Sequence, residues 1–442
     1  MPPRRSRLKL GGKQDRLAHD ELGDLDQICA SLSHRRVKEP AGPALRCEGC
    51  PTRPCRRPGL TNLGDCCFVS SVVQALYSCE TVRRGLAASE GEGLEHDVGN
   101  SCTDFASLVA RALPALMREM SAACVGSLPL RPIAPQALVC AVRGGAGSVF
   151  ASGQHDAHEL LQQLLLLPAA EPRTLKQPSP QVGHTRRARA AKAARVAAAS
   201  GPRVAIESLQ KALCCFQGAV SSATCCLECE CSTKQHDEVF TTLSVCCAHS
   251  NSETPGPTVT SVASGLAGYF RVEHMRGRNK VFCIEHCNAL AEAHRRTQLT
   301  KLPKILCVHV KVLEETASRA IAVDQELELR PWCAVVTNRC TRYELVAAVF
   351  HTGNSPRCGH YTTCCRTNAA DRLSACLRPR SQNVDLGGTE APLGAWLRCD
   401  DEHIEALDEV ETQEMLRGDG DIRKGSTPYL CFYAQMSDDF AT

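Results

Sequence analysis

The residues best able to do chemistry together are a cysteine, a histidine and a carboxylate, in that order along the chain. Cys67 follows a glycine-containing stretch that begins at Gly59, His360 lies between a glycine and a tyrosine, and Asp400 comes near the C-terminus. A thiolate is a strong nucleophile, an imidazole can accept and return a proton, and a carboxylate can orient that imidazole. These residue types therefore predict covalent catalysis through a cysteine.

Apolar residues at helical spacing follow Cys67. Phe68, Val72, Ala75 and Leu76 recur with the period of a buried helix, which places Cys67 in the first helical turn. At that end of a helix, the dipole and the free backbone N–H groups favour a thiolate over a thiol. The local sequence therefore favours a nucleophile at this position.

Length and composition limit the functions that need to be considered. The chain has 442 residues with an ordinary apolar content, and its net charge of +3 does not mark the whole chain as a nucleic-acid binder. No run of about 18 apolar residues occurs, so the sequence predicts no transmembrane segment. The basic N-terminus lacks a following apolar stretch, which indicates an intracellular protein, cytoplasmic or nuclear.

Cysteine is unusually common, with 29 residues. Because the predicted compartment is intracellular, we expect thiols, some of them metal ligands, rather than a disulfide framework. Cys47-x-x-Cys50, followed by Cys55, has the spacing of half a metal site. No second pair lies near it, so this signal is weak.

The apolar pattern changes from helical to strand-like along the chain. Residues 104–120 and 156–167 have helical spacing, and the second segment opens with Asp156 at the end where a carboxylate suits the helix dipole. Short β-rich runs follow at 239–245, 305–310 and 345–350. Helices first and strands later predict an α+β domain rather than an alternating α/β domain.

One large domain is predicted at residues 59–435, with two insertions and two terminal extensions. Residues 1–58 form a largely irregular leader, 436–442 form a tail, and 367–393, rich in Arg, Asn, Gly and Pro, form a loop insertion. Residues 171–203 form a basic, alanine-rich insertion. One interpretation of the basic insertion is a solvated segment, and the other is a contact with an anionic surface or an import receptor.

Six blocks of sequence occur in a diagnostic order. They lie at 59–76, 154–161, 293 with 302–311, 343–353 with 359–361, 396–401 and 428–433. Together they resemble the ubiquitin-specific protease family of papain-like cysteine peptidases. The resemblance covers most of the chain, and six ordered blocks are much more specific than any one alone.

This resemblance implies an α+β, papain-like fold with fingers, palm and thumb subdomains. It implies hydrolysis of the isopeptide or peptide bond at the C-terminal glycine of ubiquitin, with ubiquitin and ubiquitinated proteins as partners and no cofactor for the reaction. The family pattern makes Cys67 the nucleophile, His360 the base, Asp400 the orienting carboxylate and Asp401 the second carboxylate of the pair. Asn62 matches the oxyanion-hole amide, and the backbone N–H of Cys67 is a second donor.

The resemblance also implies a structural zinc site. Cys226-Leu-Glu-Cys229 is similar to the first knuckle of the family's zinc-bearing fingers, and Cys287 falls where the last ligand of the second knuckle belongs. The usual Cys-x-x-Cys spacing would put the fourth ligand at Ile284, and Cys283 is one position away. A tetrahedral site of Cys226, Cys229, Cys283 and Cys287 stays within normal ligand spacing.

Other ligand sets and a metal-free knuckle remain open. His286 lies near the fourth position, and Cys225 and Cys231 flank the first knuckle. The alternative to a zinc site is a degenerate knuckle held by packing.

Several positions depart from the family pattern. Leu160, Cys364, Leu397 and Cys399 stand where aromatic residues are usual. Because aromatic side chains bury the most area, we expect weaker packing around the cleft. Two alternative functions follow: a catalytically weak ubiquitin-binding scaffold, or a peptidase for a ubiquitin-like modifier. The complete set of catalytic residues opposes the scaffold.

Other polar residues beside these motifs have simpler interpretations. His351 is expected to be structural, and His155 and His158, at the start of a predicted helix, are expected to face solvent. Cys66 either fills space or acts as a redox partner of Cys67, although adjacent cysteines form strained disulfides.

Overall fold

The structure is a computed structural model that describes residues 57–87, 104–125, 130–150, 152–167, 203–234, 236–246, 260–311, 321–334, 340–355, 357–367, 394–418 and 426–437. Some predictions fall almost wholly outside these ranges. They concern the leader 1–58, the cysteines at 47, 50 and 55, the insertions 171–203 and 367–393, and the tail 436–442.

Helices account for most of the N-terminal half of the described chain. The helices are α1 (Cys67–Ser78), α2 (Glu80–Ala87), α3 (Phe105–Val125), α4 (Gln136–Gly144), α5 (Ala157–Leu165), α6 (203–213), α7 (Val262–Tyr269) and α8 (Glu409–Leu416). Within the described ranges, none is both long enough and apolar enough to cross a membrane.

Strands dominate the C-terminal half. The strands are β1 (Gly218–Cys226), β2 (Ser232–Lys234), β3 (Glu238–Phe240), β4 (Leu243–Cys246), β5 (Thr260–Ser261), β6 (Glu273–Met275), β7 (Val281–Cys283), β8 (Ala289–Ala291), β9 (Ala293–Lys301), β10 (Ile305–Lys311), β11 (Ile321–Ala322), β12 (Glu326–Glu328), β13 (Arg342–Ser355), β14 (Cys358–Arg366), β15 (Trp396–Asp400), β16 (His403–Ala406) and β17 (Ser426–Gln435).

The strands form two main sheets. The large sheet has the order β16-β15-β14-β13-β17-β10-β4, with β12 paired to β13, and the small sheet has the order β2-β1-β9-β6, with β3 paired to β1. Strands β5 and β11 form one two-stranded sheet, and β7 and β8 form another. This mixed helix-and-sheet architecture agrees with the predicted α+β class.

Helix α1 is buried along its whole length between other helices and the large sheet. Thr363 in β14 donates a hydrogen bond from Oγ1 to the Ser71 carbonyl oxygen at 3.0 Å, and Cys365 lies 3.8 Å from the Gln74 carbonyl oxygen. Alternate residues of a strand face the same side of a sheet. The face of β14 that carries Thr363 and Cys365 therefore supports α1, and the opposite face belongs to a second core.

The second core lies between the large sheet and helices α7 and α8. Cys364 of β14, Met415 of α8 and Leu266 of α7 are among its buried members. A third, much smaller cluster contains Cys226, Cys283 and Ala291, at the end of the small sheet. The large sheet is thus covered on both faces, which fixes its strands firmly.

The predicted helices are confirmed, and one predicted strand is wrong. The segments expected at 104–120 and 156–167 form α3 and α5, and Asp156 accepts hydrogen bonds at the N-terminus of α5 from the backbone N–H groups of His158 and Glu159. The strand expected at 239–245 is instead two strands. Strand β3 pairs with β1 in the small sheet, whereas β4 runs parallel to β10 in the large sheet, so the chain changes sheets between them.

The expectation that His155 and His158 face solvent is wrong. His155 is half-buried and lies edge-on to Phe68, with ring centroids 5.5 Å apart. His158 is buried, stacks on His309 of β10 at 3.8 Å and lies 3.2 Å from the Thr242 hydroxyl. His158 is accommodated in the interior because His309 and Thr242, from distant parts of the chain, contact its ring.

Burial lowers the pKa of both stacked histidines. For His309 the pKa falls to about 3, owing to burial first and then to the neighbouring His158 and Lys311. For His158 burial again dominates, against an opposing effect of the Asp156 carboxylate. Both rings are therefore neutral in the folded protein at neutral pH.

We expect this pair to make the fold sensitive to acid. In the unfolded chain a histidine takes up a proton near pH 6.5, so the stability held above that pH is lost as the pH falls toward the folded value. For His309 the loss between pH 7 and pH 5 is about 2 kcal/mol. The free energy of unfolding, measured at both pH values, should depend less on pH in His309→Asn.

The exposed His236 provides the matched control for this measurement, since His236→Asn leaves the buried pair intact and should keep the pH dependence that the pair causes. An equal pH dependence in wild type and His309→Asn would contradict the expected role of the buried pair.

Candidate active site

Cys67 is the first residue of α1 and is 2% exposed. The Cys67 backbone therefore belongs to the helical turn whose N–H groups lack intrahelical acceptors. The preceding loop is held by Asn62, whose Oδ1 accepts a hydrogen bond from the Gly64 N–H at 3.0 Å. Gly64 and Asp65 have φ values of +92° and +47°, so the loop turns sharply just before the helix.

His360 and Asp400 come together on neighbouring strands of the large sheet. His360 lies near the start of β14, Asp400 is the last residue of β15, and His360 Nε2 is 2.6 Å from Asp400 Oδ1. The pKa of His360 is raised to about 10, first by the hydrogen bond to Asp400 and then by the hydrogen bond to Cys67. Because Nε2 faces the carboxylate, Nδ1 is the ring nitrogen available to the thiol.

The contact between α1 and β14 explains why these residues meet. The hydrogen bond from Thr363 to the Ser71 carbonyl oxygen fixes the helix against the strand. Cys67 lies one helical turn before Ser71, and His360 lies a short way before Thr363 along β14. The backbones of Cys67 and His360 are therefore brought to the same end of the contact between α1 and β14.

Asp401 faces a different partner from Asp400. Its Oδ2 accepts a hydrogen bond from Asn62 Nδ2 at 2.7 Å, and its carbonyl oxygen accepts one from the Leu60 N–H at 2.8 Å. Burial raises the pKa of Asp401, partly offset by the hydrogen bond from Asn62. The turn after β15 therefore anchors the loop that leads to Cys67.

Two glycines allow the backbone to approach closely at the site. A Cβ on Gly59 would lie 2.1 Å from the Glu402 carbonyl oxygen, so a larger residue would push apart the loop and the turn after β15. Gly359 has φ +148°, and its N–H donates to Gln154 Oε1 at 2.8 Å. Gln154 thereby holds the backbone next to His360, a contact that the sequence did not reveal although it lies in one of the recognised blocks.

His351 is buried behind the site, as expected for a structural residue. Its ring packs against Tyr361, with centroids 4.6 Å apart, and burial lowers its pKa. Cys66 is also buried, and its Sγ accepts a hydrogen bond from the Leu63 N–H at 3.2 Å. The unusual residues at family aromatic positions are buried as well, namely Leu160, Cys364, Leu397 and Cys399.

Four cysteines meet at the far end of the small sheet. Cys226 and Cys287 have sulfur atoms 3.7 Å apart, Cys229 and Cys283 have sulfur atoms 3.6 Å apart, and all four sulfurs lie within 4.8 Å of one another. Zn–S bonds of about 2.3 Å in a tetrahedron place sulfur atoms about 3.8 Å apart. The spacing of the four thiols therefore fits a metal ion such as zinc.

Within the cluster, the surroundings of Cys283 favour the thiolate form of this residue. Backbone N–H groups of Cys287 and His286 lower the pKa of Cys283 to about 6. Strands β7 and β8 form a hairpin, and β7 ends at Cys283. The turn of this hairpin contains Cys287 and accommodates the irregular spacing of the two cysteines. Cys225, Cys231 and the His286 side chain do not belong to the four-residue cluster found among the described residues.

A buried thiol at a helix start, beside a histidine bonded to a carboxylate, is an arrangement that suits a cysteine peptidase. The family model for ubiquitin carboxyl-terminal hydrolases matches residues 58–433. The chain belongs to this family, and its activity is that of a deubiquitinase.

Two curated relatives have similar sequences over most of their length. "Ubiquitin carboxyl-terminal hydrolase 12" from Salmo salar is 27% identical over 384 residues, covering 85% of this chain and 88% of the relative. "Ubiquitin carboxyl-terminal hydrolase 4" from Arabidopsis thaliana is 27% identical over 366 residues, covering 80% of this chain and 86% of the relative.

The contact between His360 and Asp400 leads to a prediction about titration. Asp400→Asn removes the carboxylate whose hydrogen bond is the largest cause of the raised pKa of His360. The pKa of His360, followed by NMR of the ring, should therefore fall clearly below about 10 in this variant. Asp401→Asn is the matched control and should shift it less, because Asp401 bonds to Asn62 instead. Equal shifts in both variants would contradict the assignment.

Proposed function

We propose that the protein hydrolyses the peptide or isopeptide bond at the C-terminal glycine of ubiquitin through a Cys67, His360 and Asp400 triad. The observation that carries this proposal is the 2.6 Å contact between His360 Nε2 and Asp400 Oδ1, on a histidine that is also hydrogen-bonded to the Cys67 side chain. We take residues 59–435 to be the catalytic domain.

The reaction begins with attack of the Cys67 thiolate on the carbonyl carbon of the terminal glycine. The imidazolium of His360 then protonates the leaving lysine amine, and the acyl group stays on Cys67 as a thioester. Water, deprotonated by His360, hydrolyses the thioester and releases ubiquitin. Asp400 keeps the ring in the useful orientation and stabilises its positive charge.

The negative oxygen formed in each step needs hydrogen-bond donors. Asn62 is well suited, because only one of its two amide N–H bonds is required for Asp401, and the other can donate to the oxyanion. The backbone N–H of Cys67 at the start of α1 is the second donor. In this proposal Asp401 assists catalysis by holding the Asn62 amide in place.

The domain is best divided into the three subdomains that the family resemblance implies. The helices that carry Cys67 would form the thumb, the large sheet with His360 and Asp400 would form the palm, and the small sheet would form the fingers. We propose that Cys226, Cys229, Cys283 and Cys287 hold one structural zinc ion, which would brace the fingers against ubiquitin and take no part in the chemistry.

The partners and the compartment follow from the activity. Ubiquitin and ubiquitinated proteins would be the substrates, which supports a location inside the cell, in the cytoplasm or the nucleus. The basic insertion 171–203 is proposed to contact an anionic surface or an import receptor.

The test of the nucleophile is hydrolysis of an amide at the C-terminus of ubiquitin. Cys67→Ala should lower turnover by at least about 10³-fold while ubiquitin still binds, because the other groups of the site remain. Cys66→Ala is the matched control and should keep turnover within a few-fold, since Cys66 is packed against Leu63 and Asn62.

The alternatives predict different outcomes. Turnover lost in Cys66→Ala and kept in Cys67→Ala would place the nucleophile one residue earlier. Ubiquitin bearing a C-terminal electrophile should label wild type at Cys67. Binding without labelling would favour the scaffold, and labelling only by a ubiquitin-like modifier would favour the other peptidase.

Elemental analysis tests the metal proposal. We expect about one zinc per chain in the purified protein and its loss in Cys283→Ser, since each structural site uses four ligands. Because metal binding contributes directly to folding, chelation should increase hydrogen exchange in the small sheet before the large sheet.

The control for the metal site is Cys225→Ser, which changes a neighbouring thiol outside the cluster and should retain the zinc. Wild-type protein without zinc would refute the metal site and leave a knuckle held by packing.

A further inference from the structure

Arg143, near the C-terminal end of α4, contacts the loop that precedes the nucleophile. Its Nη2 donates to the carbonyl oxygens of Gly64 at 2.7 Å and Asp65 at 3.1 Å, and lies 3.5 Å from the Gly153 carbonyl oxygen. All three acceptors are backbone carbonyls, and hydrogen bonds from a charged donor are stronger than neutral ones. One cationic group thus gathers three backbone oxygens from two separate loops.

The two loop carbonyls belong to the 64–65 and 65–66 peptide groups, which come just before the peptide group that carries the Cys67 N–H. In a trans peptide the carbonyl oxygen and the next N–H point in opposite directions. With the Asp65 carbonyl turned to Arg143, the Cys66 N–H points toward the other side, where it lies 3.5 Å from Asn62 Oδ1. Arg143 and Asn62 therefore hold this peptide group from opposite sides.

The conformation held in this way is an unfavourable one. Asp65 has φ +47°, in the left-handed region that non-glycine residues rarely adopt. Such a conformation persists only where surrounding contacts enforce it. The guanidinium supplies an enforcing contact, since relaxation of the loop would turn the carbonyls away from Nη2.

We propose that Arg143 is a positioning residue for the oxyanion hole. This inference rests on the proposed function: by fixing the peptide groups at 64–66, Arg143 keeps the Asn62 amide and the Cys67 N–H directed at the same point. The contact with Gly153 extends the effect, because the next residue, Gln154, holds the Gly359 N–H beside His360.

The test distinguishes an effect of Arg143 on stabilisation of the oxyanion from an effect on the reactivity of the Cys67 thiol. In Arg143→Ala we expect kcat for a ubiquitin amide to fall about 10- to 100-fold, less than the 10²–10³ typical of losing a donor itself, with KM nearly unchanged. Affinity for ubiquitin with a C-terminal aldehyde should fall in parallel, because its adduct carries the same oxyanion. Alkylation of Cys67 by iodoacetamide should stay within about two-fold, since that reaction forms no oxyanion.

Two further variants keep the test decisive. Arg143→Lys retains the charge and can reach one carbonyl, so its kcat and aldehyde affinity should lie between those of wild type and Arg143→Ala. Arg131→Ala removes an exposed arginine just before α4 and should change nothing. If Arg143→Ala does not fold, Arg143→Lys decides the matter, and wild-type aldehyde affinity in it would overturn the proposal.

Failure of this inference can be told apart from failure of the proposed function. A wild-type protein that hydrolyses no ubiquitin amide would contradict the proposed function. An active wild type whose folded Arg143→Ala variant keeps its aldehyde affinity, or loses alkylation rate as much as turnover, would contradict the positioning role alone.

Discussion

The burial of α1 against β14 is the constraint on which the rest of the site depends. A helix enclosed on every side must satisfy its polar groups internally, since an unpaired buried group costs about 1–3 kcal/mol. Gln74 donates from Nε2 to the Pro58 carbonyl oxygen at 2.9 Å, and Arg57 donates to the Ser78 hydroxyl at 2.9 Å. These bonds attach residues 57 and 58 to α1. The loop between residue 58 and Cys67 is therefore held against the helix at its start and continues into the helix at its end.

The turn between β15 and β16 completes this arrangement, because its two carboxylates contact His360 and Asn62. Side chains of successive residues in a strand point to opposite sides, and the left-handed φ of +48° at Asp401 turns the chain further. Asp400 is thereby directed to His360 and Asp401 to Asn62. One short turn thus orients both His360 and the amide proposed for the oxyanion hole, so each of the two adjacent carboxylates has its own partner.

Local patterns in the sequence predicted the helices of the site correctly. They did not predict features that depend on contacts between distant parts of the chain. The apolar period after Cys67 and the carboxylate before α5 are local signals, and both helices form as expected. The break between β3 and β4 depends on which distant strand each one meets, and the burial of His158 depends on His309 and Thr242. Sequence periodicity carries no information about such partners.

Burial suppresses several core thiols, which reduces the number of cysteines that could act as a nucleophile. The pKa values of Cys79, Cys307 and Cys399 lie well above that of a free thiol, for Cys79 and Cys307 chiefly through burial and for Cys399 first through its hydrogen bond with Cys365 and then through burial. Burial also raises the pKa of Cys66, the direct neighbour of Cys67. A thiolate is the reactive form, so these cysteines behave as small apolar side chains. Cys67 differs from these buried thiols in its hydrogen bond to His360.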